Sequence, residues 1–490
     1  MDPLSPSIGS TLENLIGGGP RPNAGLPAAG HRSPHDGRVL WTFPDSDAAT
    51  VDVAVTAARE AAGPWGYGTP APRRGEVLLE LAELLATHAD ALARIVALET
   101  GKAPAEARGE VMGAVAQGRF FAGEGMRLFG RTMPSGVAGK RNMTVREPVG
   151  VAGLIAASNT PIANIAWKLF PALITGNTVV LKAAETTPAT AWMVGRLAVE
   201  AGVPEGVVNV VHGLRDTGRH LVAHPGVDVV SFTGSTAAGR EIAEVCARRL
   251  ARVSLELGGK NAFVVLDDAD LDVAVGWALR SAFSNAGQRC SSGSRLIITD
   301  GIRERFVAAL LPRVAALRVG PTDGDDLGPV ITEAALERIL GAVGTAVTDG
   351  QPLLAGGHRL TGPDHAAGNY LAPTVIEMTD PTHSISGMEL FGPVTQLYAA
   401  RDEAHALALV NDSPYGLTAA VHTRDIGRAL RFIDGASVGV VSVNGGTFGS
   451  EPHMPFGGRR ASGNGTREPG TEALDVYTSL KSVSLWPDAG

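Results

Sequence analysis

The chain has 490 residues, of which 44% are hydrophobic and 19% charged. A single hydrophobic core stops growing at about 250–300 residues, so at least two domains are expected, with too much apolar surface for general disorder. The net charge is −8 and the Lys and Arg residues are scattered rather than gathered into a stripe, which leaves no electrostatic footprint for nucleic acid and makes a small molecule the expected partner.

Two cysteines cannot form a disulfide framework, and no basic-then-apolar segment with a small-residue cleavage site opens the chain. A reducing, cytoplasmic setting is expected. The longest apolar runs, such as 149–157, are about half the roughly 20 residues that cross a bilayer, so no membrane span is expected.

In chain order, residues 1–37 are rich in Gly, Pro and Ser with little periodicity, which predicts an irregular surface arm. Apolar residues at helical spacing predict amphipathic helices over 48–62 and 73–100, the second carrying Val77, Leu78, Leu81, Leu84 and Leu85. Residues 129–146 are polar and strand-like, and 476–485 match them. Such strands either pair with each other or with another subunit.

From 149 onward, short β-rich runs alternate with helical patterns: 149–155, 162–175, 178–181, 188–201, 207–211, 227–232 and 239–250. This alternation predicts an α/β fold with a parallel sheet covered on both faces. A second series of the same class runs through 262–266, 301–317, 333–347, 394–398 and 403–411.

Several stretches carry candidate chemistry. Cys246 lies in a helical pattern near Ile242 and Leu250 and reads as a core residue. Cys290 sits in the loop "SNAGQRCSSGSR", where the neighbouring Arg289 guanidinium would favour a thiolate. From this stretch alone it is either a nucleophile or a small turn residue.

In "LELGGKN", Glu256 is a lone carboxylate in apolar surroundings at a strand end. A raised pKa would suit a general base. It reads equally as a structural acid, or as the ribose-binding acid of a dinucleotide fold, because Gly234 precedes it by 22 residues.

The stretch "SFTGSTAAGR", with Gly234 and Ser235, passes from a strand into a helix, whose N-terminal N–H groups can hold a phosphate. Its spacing is not G-x-G-x-x-G, so it does not meet the ordinary dinucleotide fingerprint. Lys182 and Glu185 end a strand in "TVVLKAAE", where open α/β sheets bind ligands. Solvated surface charge is the plainer reading.

Taken together, "ASNTPIANIAWKLFPALITGNTVVLKAAE", "SFTGST", "LELGGKN", "NAGQRC", "ELFGPV" and "PFGGRRASGNG" resemble, in order and spacing, the aldehyde dehydrogenase superfamily over about 39–483. The resemblance implies an aldehyde dehydrogenase-like fold. A Rossmann-type NAD-binding domain would comprise 1–125 and 149–257, a catalytic α/β domain 258–465, and a small β oligomerisation arm 126–148 and 470–490.

It implies that Cys290 attacks the aldehyde, that Asn159 and the Cys290 backbone N–H hold the oxyanion, and that Glu256 activates water against a thioester. Lys182 and Glu185 would contact the adenosine ribose, Gly234 and Ser235 the pyrophosphate, and Glu389 with Phe391 the nicotinamide ribose. The cofactor would be NAD, with NADP possible, since a carboxylate at Glu185 repels a 2′-phosphate. No metal is implied.

Trp167 and Phe456 match positions lining the substrate tunnel. Arg289 either points into that tunnel, where it would pair with a distal carboxylate or phosphonate, or makes a structural ion pair. Thr160 stands where many members have an aromatic residue. The stretch 444–458 resembles the benzaldehyde and vanillin dehydrogenase branch, which favours bulky neutral aldehydes. A homodimer or homotetramer is implied. The rival readings are a CoA-acylating semialdehyde dehydrogenase and a cysteine-dependent hydrolase.

Overall fold

The computed structural model describes residues 9–487. The central strands of its first sheet are buried on both faces, as in Val151–Ile155 and Thr178–Lys182, because helices cover each side. The sheet has seven strands in the order Arg252–Glu256, Val229–Thr233, Val151–Ile155, Thr178–Lys182, Val208–Val211, Asn14–Ile16 and Gly19–Arg21. The first five are parallel.

The chain runs outward from Val151–Ile155 through two strands, then returns to the other side of that strand for Val229–Thr233. A crevice therefore opens at the carboxyl ends of these strands, where the connections part in opposite directions. Register sets Ile155 beside Lys182 and Thr233 beside Glu256 at that rim.

The second sheet is also seven-stranded, in the order Leu353–Ala355, Thr374–Glu377, Val394–Ala400, Arg295–Thr299, Ala262–Val265, Thr418–His422 and Val440–Val443. Only its first pair is antiparallel. A separate three-stranded antiparallel sheet joins Thr478–Leu485, Arg141–Pro148 and Thr132–Met133. The polar strands from the two distant parts of the chain thus pair with each other within one chain.

The predicted elements from 149 to 250 lie within a few residues of the observed ones. Three expectations are corrected. The described part of 1–37 is not irregular: Asn14–Ile16 pairs antiparallel with Val208–Val211, Asn14–Ile16 and Gly19–Arg21 form a hairpin, and Ala28–Arg32 pairs with Val39–Pro44. Leu12, Leu15 and Ile16 are buried there. The Gly and Pro residues mark turns between short strands, and Asn14 fixes the pairing by accepting the His212 N–H and donating to Ser46. Residues 1–8 lie outside the described ones.

The predicted helix 73–100 is two helices, Ala71–Thr87 and Ala89–Thr100, broken at His88. A third helix, Pro104–Glu124, was not foreseen because its apolar residues form no single stripe. It is wedged between neighbours: a Cβ on Gly118 would lie 2.6 Å from Phe170 and 2.7 Å from Ala82, so only glycine admits this packing. No helix among the described residues is long and apolar enough to cross a membrane.

Candidate active site

A cleft of about 1550 Å³ receives the carboxyl ends of the first sheet on one side and the Cys290 loop on the other. All twelve residues singled out from the sequence line it: Asn159, Trp167, Lys182, Glu185, Gly234, Ser235, Glu256, Arg289, Cys290, Glu389, Phe391 and Phe456. Cys246 does not; it is buried in the helix Thr236–Arg248 among Ile242, Leu255 and Leu257.

The loop that presents Cys290 is strained. After the helix Leu271–Phe283, Asn285 and Ala286 adopt φ of 53° and 51°, a left-handed conformation costing non-glycine residues of order 1–3 kcal/mol each. Side chains hold it there. The Asn285 N–H donates to both carboxylate oxygens of Glu106, at 2.9 and 3.2 Å, and its amide Nδ2 donates to the Asn159 and Gln288 carbonyls, each at 3.1 Å. Gln288 braces the loop further by accepting from the Ile331 N–H at 2.9 Å.

The two glycines of "LELGGKN" have separate steric reasons. A Cβ on Gly258 would lie 2.1 Å from a Glu389 carboxylate oxygen, and one on Gly259 would lie 2.2 Å from the Cys290 carbonyl. Asn261 of the same stretch donates to that carbonyl at 2.7 Å. One motif therefore packs against the nucleophile loop and the Glu389 loop together.

Asn159 precedes the helix Pro161–Ile174 and donates from Nδ2 to the Gln288 carbonyl at 2.9 Å. Its own carbonyl accepts from Lys102 Nζ at 2.7 Å. Lys102 pairs with Glu110 at 2.5 Å, and Glu110 accepts the Ile162 and Ala163 N–H groups, so a carboxylate caps the positive end of that helix. The helix Pro104–Glu124 thereby supports both sides of the catalytic cleft.

Glu256 is the last residue of its strand and is buried, with one carboxylate oxygen lacking a partner. Burial holds its carboxyl well above the usual range; the Glu468 and Glu389 carboxylates push the same way, and Lys168 and Arg467 oppose them. Nearby, Lys168 and Glu468 form a buried pair at 2.6 Å, with Glu468 also bonded to Ser231 and Ser254. Burial likewise raises the Cys290 thiol, and Glu256 and Glu389 add to it while Arg289 works against it.

Glu389 accepts the Gly259 N–H at 2.9 Å and is pushed up to about 7 by burial, against the pull of that N–H and of Lys260. Lys260 is itself buried and lowered to about 7, while its Nζ donates to the Met388 carbonyl at 2.7 Å. Phe391 follows with φ of 57°. Across the cleft, Lys182 Nζ lies 3.3 Å from Glu185, whose side chain is 56% exposed and so open to a ligand. Ser235 caps the helix Thr236–Arg248, and the adjoining N–H groups form an anion-binding end.

Trp167 and Phe456 stand together with ring centroids 5.4 Å apart and form an aromatic wall. Arg289 lies 3.5 Å from Glu106, with its guanidinium carbon 5.0 Å from the Phe448 ring centroid. Both sequence readings of Arg289 thus have a counterpart: it lines the cleft and makes an ion pair. Thr160 accepts from Asn164 within its own helix start.

Sequence reasoning missed Glu106 and Glu110, whose helix showed no stripe, Lys102 in the loop before it, and Phe448. It also missed Lys168 and Glu468. A lysine inside the apolar run 161–174 was the available signal, because a buried charge needs a partner.

A profile of the family described as "Aldehyde dehydrogenase family" matches residues 27–483. The chain belongs to the aldehyde dehydrogenase family. This aldehyde dehydrogenase is 38% identical to the alpha-ketoglutaric semialdehyde dehydrogenase of Bacillus subtilis, over 90% of this chain and 91% of that one. It is 39% identical to the NADP(+) succinate-semialdehyde dehydrogenase of Escherichia coli, over 92% and 93%, and 41% identical to a 3,6-anhydro-alpha-L-galactose dehydrogenase of Streptomyces coelicolor, over 92% of each.

Among solved structures, betaine aldehyde dehydrogenase of Staphylococcus aureus in complex with NAD+ superposes with a TM-score of 0.94 at 34% identity, covering 96% of this chain and 94% of that one. The NAD-dependent aldehyde dehydrogenase of Sinorhizobium meliloti gives 0.94 at 37%, covering 98% and 95%. The aldehyde dehydrogenase described here is accordingly an oxidoreductase acting on aldehydes.

Proposed function

We propose that this enzyme oxidises an aldehyde to the carboxylic acid with NAD(P)+ and water, through a thiohemiacetal and then a thioester on Cys290. The observation that carries this reading is one continuous cleft lined by Cys290, Asn159 and Glu256 and by the ribose- and phosphate-compatible groups Lys182, Glu185, Gly234 and Ser235.

Cys290 Sγ attacks the aldehyde carbon, and the Asn159 amide with the Cys290 N–H stabilises the oxyanion that develops. The thiol proton passes to solvent, and Glu256 draws a proton from the water that attacks the thioester, for which a raised pKa suits it. Held by Lys182, Glu185, Gly234, Ser235 and Glu389, NAD(P)+ would supply the hydride acceptor for the thiohemiacetal carbon.

The cleft suits such a cofactor. Glu185 is exposed and could accept ribose hydroxyls, the N–H groups at the Ser235 helix end would hold the pyrophosphate, and Glu389 has one carboxylate oxygen beyond the one engaged by Gly259. Glu185 favours NAD, with NADP possible. The first-sheet unit, 1–125 with 149–257, would hold the cofactor, and 258–465 would supply the nucleophile.

The Trp167–Phe456 wall suits the apolar body of an aldehyde, and Arg289 lines the same cleft. The three-stranded sheet of Thr132–Met133, Arg141–Pro148 and Thr478–Leu485 leaves the last strand as an edge, and Leu480, Leu485 and Trp486 are exposed, which supports a homodimer or homotetramer.

The test is product analysis with and without CoA across aliphatic, aromatic and ω-carboxylated aldehydes. Free acid at equal rates without CoA is expected. Acyl-CoA formation as the sole outcome overturns the hydrolytic route in favour of the acylating one.

A further inference from the structure

We propose that Glu106 sets the substrate class of the tunnel: it holds Arg289 in a charge-neutral couple, so the distal end takes a neutral oxygen acceptor such as an ester, ketone or hydroxyl and discriminates against a carboxylate. The inference rests on the proposed reading of the cleft as an aldehyde site, in whose lining Arg289 stands, and names the substrate that Arg289 would prefer.

Arg289 is an under-used donor. Guanidinium carries five N–H donors. The only protein bond it makes among the described residues is the 3.5 Å contact to Glu106, and its Nε is buried without a partner. The Phe448 ring supports one face of the group, so it is oriented without being saturated. Its side chain is 25% exposed, on the cleft. Donors left over in that position are available to an oxygen on the substrate.

Glu106 decides which oxygen. Both its carboxylate oxygens accept from the Asn285 N–H, which anchors the negative charge beside Arg289. A second cation in the cleft lining, Lys102, is already paired with Glu110, and Glu451 adds another carboxylate there. A carboxylate arriving at Arg289 therefore meets a neutralised cation with a like charge behind it. A neutral acceptor meets the same donors without that repulsion.

The experiment compares kcat/KM for succinic semialdehyde, its methyl ester and pentanal, following NADH formation by the intact enzyme. Wild type is expected to prefer the ester. Glu106→Gln keeps an acceptor for the Asn285 N–H and removes the charge; the carboxylate-to-ester ratio should rise by about tenfold or more, from the Coulomb energy of one nearby charge at a partly exposed site. A looser loop would slow all three substrates alike and leave the ratio in place. In Glu106→Gln with Arg289→Met the gain should vanish.

A ratio within about threefold of wild type, or a gain that survives loss of Arg289, overturns the proposal. Should Glu106→Gln not fold, Arg289→Met alone decides: it should abolish the preference for the ester over pentanal, and an unchanged preference overturns the proposal. Retained turnover in Cys290→Ala is the distinct result that overturns the reading of the tunnel itself.

Discussion

The Asn159 side-chain amide donates to the carbonyl of Gln288 across 2.9 Å, so the residue assigned to the oxyanion is tied to the loop that carries the nucleophile two positions later. Asn159→Ala removes that tie and one oxyanion donor. A fall in kcat of about 10²–10³-fold is expected, the usual loss for one such donor, with cofactor affinity close to wild type. Steady-state kinetics and calorimetric titration with NAD+ check both halves.

Cys290→Ala should abolish aldehyde oxidation and leave NAD+ binding near normal, since none of the groups assigned to the cofactor is altered. Glu256→Gln should slow the second half of the reaction more than the first. Rapid mixing is then expected to show a burst of NADH followed by a slow steady state; a missing burst would mean Glu256 is needed before hydride leaves.

Glu389 gives a pH dependence with a definite sign. Its carboxyl is held near 7 chiefly by burial, so it is mostly protonated below that value and mostly ionised above it. An ionised carboxylate accepts ribose hydroxyls more strongly, so the Kd for NAD+ should tighten as pH rises through about 7. Glu389→Gln should flatten that profile.

Lys168 and Glu468 are side chains 0% and 2% exposed and joined at 2.6 Å. Lys168→Met strands a carboxylate in the interior, and a loss of about 3–5 kcal/mol is expected for breaking such a pair from one side. Chemical denaturation measures it. Lys168→Met with Glu468→Leu should recover part of the loss, because no unpaired charge then remains.

The alternation of strands and helices from 149 to 250 was legible because fully buried parallel strands and amphipathic helices write different periods into the sequence. The motifs also announced their neighbours: Cys290, Glu256 and Asn159 are far apart in the chain yet line one cleft. What stayed hidden depends on packing from elsewhere. The helix Pro104–Glu124 is buried on several sides, which erases the single apolar stripe. Glu106 and Glu110 look like ordinary surface acids until the backbone N–H groups of Asn285 and Ile162 are brought to them from 179 and 52 residues away. The strand Asn14–Ile16 is only three residues long, too short for alternation to register.

That short strand also bears on how the chain tolerates trimming. The hairpin Asn14–Ile16 and Gly19–Arg21 closes one side of the first seven-stranded sheet, and Asn14, Leu15 and Ile16 are all buried in doing so. Without it, Val208–Val211 would present bare backbone donors and acceptors and the apolar surface beneath. Such an edge recruits strands from other molecules. Deletion through Arg21 would therefore be felt first as precipitation at working concentrations, well before any effect on the chemistry at Cys290.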